Sequence, residues 1–193
     1  MMTSFTRIIV VLSFVRTAMG VQQTPPNTVM ISLALFLTFF IMAPTFQAAY
    51  DTALKPLLNQ EIEEAEAFDR GMEPFRVFML RHTRPKDLEL FKEISETPTT
   101  ETAMDLPITI VIPSFMISEL RRAFEIGFML FLPFLIIDMV TASILMSMGM
   151  MMLPPVMISL PFKIIFFVLV DGWYLVTGSL IKSFDASLPL PEG

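Results

Sequence analysis

Cysteine does not occur in this chain, so disulfides, thiolate metal ligands and thiol nucleophiles are all excluded. Histidine occurs once, as His82, which leaves nothing from which to build an imidazole metal cluster or a histidine-based triad. It follows Leu80 and Arg81 in a charged stretch, where a solvated or helix-capping ring is the expectation, and no role is assigned to it. Charge is scarce: 17% of the residues are charged, against 54% hydrophobic. A chain of that composition is not a water-soluble domain of ordinary kind. Phosphate-cradling glycine-rich loops, metal-ligand spacings and nucleophile elbows are absent too, so an enzyme is the weakest reading and no cofactor is implied.

What charge there is has an address. Residues 47–106 hold 13 of the 19 acidic residues and seven of the 13 basic ones, a net −6 equal to that of the whole chain. An acidic segment of this kind argues against nucleic-acid binding and against docking of that segment on anionic lipid. Paired acids such as Glu63 and Glu64 read as a solvated face.

The apolar residues fall in runs. Met1 to Gly20 carries Arg7, an apolar stretch from Ile8 to Val15, Arg16 and then small residues, the outline of a secretory signal. Arg16 closes the run and another hydrophobic segment soon follows, so an internal helix fits equally. Pro25, Pro26 and Asn27 form a turn with Asn27 as a cap, after which Thr28 to Met42 is uncharged and is expected to stop at Ala43-Pro44. That helix is short for a crossing, which takes about 20 residues, unless its flanks add length or protein surrounds it.

Between 47 and 106, Leu54, Leu58, Ile62, Ala65 and Phe68 recur at spacings of three and four and predict an amphipathic helix. Two shorter helices, around Phe75 to Met79 and Leu88 to Ile94, follow on either side of Thr83 to Pro85. Past 106, the cluster Glu119, Arg121, Arg122 and Glu125 is expected to break any continuous span; Arg121 and Glu125 can pair at i, i+4. Ile126 to Leu153 is apolar with Pro133 and Asp138, Pro154 and Pro155 forbid smooth continuation, and Val156 to Val170 returns as the second arm of a hairpin. The fold class is an all-α membrane protein in three parts: N-terminal hydrophobic helices at 1–46, an acidic helical extramembrane insert at 47–106, and a Pro-kinked helical hairpin with a Met-rich tip at 107–193.

Two features are candidates for function. The hairpin tip is surrounded by Met146, Met148, Met150, Met151, Met152 and Met157, although tips ordinarily face water. Either these methionines pack a core, or they face lipid, or copies gather them around an axis, where flexible thioethers close a pore yet yield to a passing polypeptide. The second feature is charge in apolar surroundings: Asp138, Lys163 and Asp171 each need a partner, because an unpaired charge there costs roughly 2.5–3.5 kcal/mol. Asp138 and Lys163 lie at similar depths on the two arms and are expected to meet, within one subunit or between neighbours. A packing ion pair and a proton relay are both open for them. Glu119 and its neighbours are either a solvated helix start or a contact between subunits.

Seven strings, MMTSFTRI (1–8), LALFLTFFIMAP (33–44), FMLRHTR (78–84), SELRRAFEIGF (118–128), PFLIIDMV (133–140), MGMMMLPP (148–155) and LPFKIIFFVLVDGW (160–173), in that order resemble the FliP/SctR family of flagellar and virulence type III export gates. The resemblance spans nearly the whole chain. It implies an all-helical subunit that assembles in several copies with FliQ-like and FliR-like partners into a conical channel, alongside FlhA-like and FlhB-like export components. The channel passes unfolded flagellar proteins through the bacterial inner membrane at the flagellar basal body. It also implies a methionine gasket at Met150, Met151 and Met152, and charged positions important for assembly or export at Arg84, Glu119, Asp138 and Lys163. Helices that look transmembrane are then expected to pack within the cone, raised above the bilayer. Members of the family begin further upstream, with a cleavable signal and another hydrophobic segment, whereas this chain starts at MMTSFTRI; its targeting and first-helix packing are what that difference bears on. FLTFFIMAP and the insert length favour the flagellar branch. A virulence injectisome subunit is the alternative, and an ion-coupled membrane transporter built on Asp138, Asp171 and Lys163 the main rival.

Overall fold

The structure is a computed structural model that describes residues 1–21, 23–95, 103–149 and 154–184. Those residues form helices and their connections, without a strand among them. In chain order the helices are α1 (Phe5–Ala18), α2 (Asn27–Ala49), α3 (Lys55–Leu58), α4 (Glu64–His82), α5 (Pro85–Ile94), α6 (Ile108–Ser147), α7 (Pro155–Leu169) and α8 (Gly172–Lys182). The fold is that of an all-α membrane protein.

The stretch that resembles a leader is a core helix. Ile8, Val11, Leu12, Val15 and Ala18 of α1 recur every three or four residues and are all buried, packed on α2 and α6. Arg16, near the end of α1, donates to Asn27 Oδ1 at 2.5 Å. That bond takes the oxygen expected to cap α2, and Pro26 stands at the cap position instead.

Helix α2 does not stop at Pro44. It runs through the proline to Ala49, makes a single wide π turn at Tyr50–Leu54 and continues into α3, so that Asn27–Leu58 forms one rod of 32 residues. Apolar surroundings explain the persistence: with no water to accept or donate, backbone groups freed by a proline are best left in a helix. Only Met30, Ala34, Thr38 and Met42, each four residues from the last, are buried along α2. Leu33, Leu37 and Ile41 pack partly against the same core, while Val29, Ile31, Leu35, Phe36, Phe39 and Phe40 are exposed.

The long amphipathic helix read from Leu54 to Phe68 is broken. Residues 59–63 turn, with Gln60 in the left-handed region at φ 58°, before α4 begins. The helix gives way here, and α4 folds back against α2 and buries Ala53 and Ala67. Met79, Leu80, Leu88, Ile110, Val111 and Phe115 then form a second core among α4, α5 and the start of α6.

The charge cluster at 119–125 does not interrupt α6, which runs unbroken for 40 residues through Pro113 and Pro133. Glu and Arg are good helix formers, so the interruption is one of polarity, not of backbone. Hydroxyls within the apolar helices are satisfied by the preceding turn, as in Thr38 to the Ala34 carbonyl at 2.7 Å and Ser114 to the Ile110 carbonyl at 2.7 Å. Helix α7 packs against α6 as the return arm of the hairpin. At Asp171, itself in the left-handed region at φ 52°, the chain bends by 63° into α8. Asn27–Leu58 and Ile108–Ser147 are each long and apolar enough to cross a membrane, and α7 with α8 forms a third such element if the bent pair counts as one.

Candidate functional site

Three ion pairs sit where the helices converge, and each of the four charged residues marked from sequence takes part in one. Glu119 of α6 faces Arg7 of α1, with Arg7 Nε donating to Oε2 at 3.1 Å and Nη2 to Oε1. Arg7 Nη1 also donates to the Ser183 carbonyl oxygen at 2.8 Å and to Ser183 Oγ at 3.0 Å. The guanidinium lies 3.7 Å from the centre of the Phe184 ring. One arginine therefore joins α1, α6 and the end of α8. Its planar fork can serve two acceptors and a ring face together, which a lysine cannot do.

Arg84, between α4 and α5, grips Asp87 through Nε at 2.8 Å and Nη2 at 2.7 Å. Ser118 of α6 donates to Asp87 Oδ2 at 2.6 Å and accepts from the Arg84 amide at 3.0 Å. Ser118 and Glu119 are consecutive, so adjacent residues of α6 pin α5 on one side and α1 on the other.

Asp138 and Lys163 meet across the hairpin arms. Lys163 Nζ donates to Asp138 Oδ2 at 2.6 Å and to the Ala18 carbonyl oxygen at 3.1 Å, while Ser159 Oγ donates to Asp138 Oδ1 at 2.5 Å. Both arms are thereby tied to the end of α1 within one protomer. Asp171 is not part of this network: it is exposed at the bend between α7 and α8. Met150, Met151 and Met152 lie outside the described residues. Arg121 and Glu125 pair on the surface of α6 at 2.8 Å, at the expected i, i+4 spacing.

The expectation of a solvated His82 is overturned. Its ring is buried at 1% exposure, 4.7 Å from the Phe78 ring and 5.3 Å from that of Phe184. Burial, with Arg7, Arg122 and Arg81 nearby, pushes its pKa down to about 3. Polar neighbours in sequence misled here, because α4 turns Met79, Leu80 and His82 inward together.

Sequence reasoning also passed over Arg7, Asp87, Ser118 and Ser159 as site residues. A fully buried arginine cannot be told from a leader-type arginine until its carboxylate is located. Lone serines carry no signal in a chain that uses them to satisfy helical carbonyls. Among the described residues no group of acidic or histidine side chains is arranged to hold a metal.

A family model described as the FliP family matches residues 1–180. Among related proteins, the flagellar biosynthetic protein FliP of Caulobacter vibrioides is 62% identical over 96% of this chain and 70% of its own length. That of Bacillus subtilis is 61% identical over 95% of this chain and 83% of its own length. The protein of the same name from Aquifex aeolicus is 52% identical over 96% and 78%. A match running from the first core helix through α7 and most of α8, carried at such identity in bacteria as distant as these, shows that the chain belongs to the FliP family.

Proposed function

We propose that the chain is a channel-forming subunit of the bacterial flagellar type III protein export gate, seated in the inner membrane at the flagellar basal body and required for secretion of flagellar proteins and assembly of the flagellum. The flagellar names of its relatives favour this branch over the virulence injectisome. On this reading residues 47–106 are the extramembrane, periplasmic part. Further copies of the chain, FliQ-like and FliR-like subunits, and FlhA-like and FlhB-like components are its partners. Unfolded flagellar proteins are its cargo, and no bond in the cargo is made or broken.

The observation that carries the reading is the one-sided hairpin. Its charges, Asp138 and Lys163, are spent on each other and on α1, while Met129, Met139, Val168 and Leu169 point outward, each more than 60% exposed. A protomer that hides its charges and shows this much apolar surface is made to be covered by lipid and by neighbours. Copies packed about an axis bring their methionine tips, Met150, Met151 and Met152, to a shared centre. Thioether chains deform without polar cost, so such a ring excludes ions at rest and yields to a polypeptide.

The test is to replace Met150, Met151 and Met152 together by Ala in the assembled channel and measure leakage of ions or small solutes across a bilayer. Increased leakage is expected. A channel as tight as the parent, or purified complexes found by native mass spectrometry to hold a lone protomer, would remove the gasket from consideration.

A further inference from the structure

The rod formed by α2 and α3 is longer than a membrane needs. Residues 27–50 carry no charge and extend about 36 Å at 1.5 Å per residue, enough for a hydrocarbon core of about 30 Å. Asp51 and Lys55 then follow, so the rest of the rod and α4 stand beyond the lipid. Their surface is nonetheless apolar: Tyr50, Leu54, Leu58 and Phe68 are 45%, 47%, 69% and 68% exposed. Large apolar side chains gathered on an extramembrane surface mark a place where another molecule sits.

Tyr50, Leu54 and Phe68 line one groove. It is a cavity of about 510 Å³ between the rod and α4, with Ala53 and Ala67 buried within it. Small residues let the two elements approach there: a methyl group on Gly71, one turn past Ala67, would stand 3.3 Å from Ala53 Cβ. The π turn at Tyr50–Leu54 supplies Tyr50, Ala53 and Leu54 to the lining, and such turns recur at functional sites. A second hollow of about 830 Å³ adjoins the groove through Leu57 and Glu64, which line both, and is bordered by Glu61, Glu63 and Glu66. Glu66 is paired with Arg70, whereas Glu61, Glu63 and Glu64 form no ion pair among the described residues. Lys55 and Arg70 line neither hollow. Acids alone would be a solvated face; bordering an apolar groove, they set the charge of what fits it.

We infer, resting on the reading of residues 47–106 as extramembrane, that this groove receives an amphipathic helix of another protein. Its apolar stripe lies on Tyr50, Leu54 and Phe68, and its lysines or arginines meet Glu61, Glu63 and Glu64. The described residues include no strand edge for an extended segment to pair with, whereas an apolar groove between helices is filled by anchors recurring every three or four residues of a docking helix. Charge then selects among occupants. An anionic lipid head group is repelled by the rim. A second copy offering the same insert is repelled as well, because that insert holds the chain's whole net charge of −6. A cationic helix satisfies the acids and covers the groove together.

The experiment uses the full chain in a neutral detergent and a fluorescent leucine and lysine peptide of about 18 residues, patterned as an amphipathic helix, with binding read by anisotropy. Saturable binding is expected, about tenfold tighter than that of the same peptide with glutamate in place of lysine. Phe68→Ser should weaken it about tenfold, as truncation of an apolar anchor does. Glu63→Gln with Glu64→Gln should weaken it about fivefold and flatten its dependence on salt between about 50 and 500 mM. Asp69→Asn removes a carboxylate that lines neither hollow and should change nothing. Phe68, Glu63, Glu64 and Asp69 are all exposed, so these variants keep the core intact. Because the chain has no cysteine, Glu63→Cys reports separately on location: in lipid nanodiscs, where both faces of the bilayer are open, a charged maleimide should label it. Failure to label would defeat the extramembrane reading, and the inference with it. Labelling combined with equal affinity for the two peptides, or with a Phe68→Ser variant that binds like the parent, overturns the inference alone. So does a Phe68→Ser variant that lowers the copy number seen by native mass spectrometry without peptide, for the groove is then closed by a second chain.

Discussion

Arg7 and Glu119, separated by 112 positions in sequence, face each other with both side chains at 0% exposure. A buried pair of this kind gains little over well-packed apolar residues, yet breaking it is expensive, because the survivor is a charge with no solvent. Arg7→Met or Glu119→Leu alone is therefore expected to cost about 3–5 kcal/mol. The double substitution should recover most of the loss, save for the part Arg7 contributes at Ser183 and Phe184. Thermal unfolding of the purified chain in detergent reads all three; a double variant no better than the worse single one would show that the pair is not the unit of stability.

Lys163 is nearly buried at 4% exposure, whereas Asp138 keeps 25%, so the two partners are not equivalent. Asp138→Asn leaves a buried ammonium with neutral acceptors only, the amide oxygen and the Ala18 carbonyl, and should lose about 3 kcal/mol or more. Lys163→Met leaves a carboxylate that Ser159 and partial exposure still support, and should lose less. If the pair fixes register, exchanging the charges restores assembly, measured as recovery of the oligomer on gel filtration. If instead both single variants and the swap assemble but each abolishes export, proton movement through the pair is the better account.

The sequence made some of this legible and concealed the rest for physical reasons. Asp138 and Lys163 were readable because a charge in hydrocarbon requires a partner, and only one opposite charge lay at matching depth on the other arm. The hairpin and the α4–α5 boundary followed from prolines, whose constraint is local. Pro44 was misleading for the same local reason: a proline weakens a helix by a fixed amount, and whether it ends one depends on what else the backbone could bond to. Arg7 was illegible because its burial is decided by Glu119 and Phe184, far along the chain, and His82 because Phe78, on its own helix, encloses it only together with Phe184 from the far end of the chain.

His82 makes stability depend on pH. Its folded-state pKa of about 3 lies below the ordinary value near 6.5, so between the two the unfolded chain binds the extra proton. The contribution of the neutral ring is fully present above about pH 6.5 and is lost as the pH falls toward 3, with a limiting slope of about 1.4 kcal/mol per pH unit. Burial opposes the imidazolium first, and Arg7, Arg122 and Arg81 oppose it further. Denaturation midpoints taken from pH 7 to pH 4 should fall, and His82→Phe should flatten that part of the curve. A parallel decline in the variant would assign the acid sensitivity to groups other than His82.

Two glycines should answer the same substitution with opposite signs. Gly127 sits where α6 crosses α1, and a methyl group there would approach the Phe14 ring to 2.6 Å and Phe14 Cβ to 3.1 Å. The ring cannot swing clear, since Cβ itself is close and the ring already packs edge-on against Phe124 at 4.9 Å. Gly127→Ala therefore forces α1 and α6 apart. Such overpacking costs about 1–3 kcal/mol, more than the roughly 1 kcal/mol that alanine adds to a helix interior. Gly178 in α8 has nothing within 4 Å of the same position, so Gly178→Ala should gain up to about 1 kcal/mol from helix propensity alone. Thermal midpoints of the two variants, measured side by side in one detergent, should move in opposite directions. A stabilised Gly127→Ala would mean that α1 and α6 do not cross at this distance, and with that the placement of Arg7 against Glu119 would have to be redrawn.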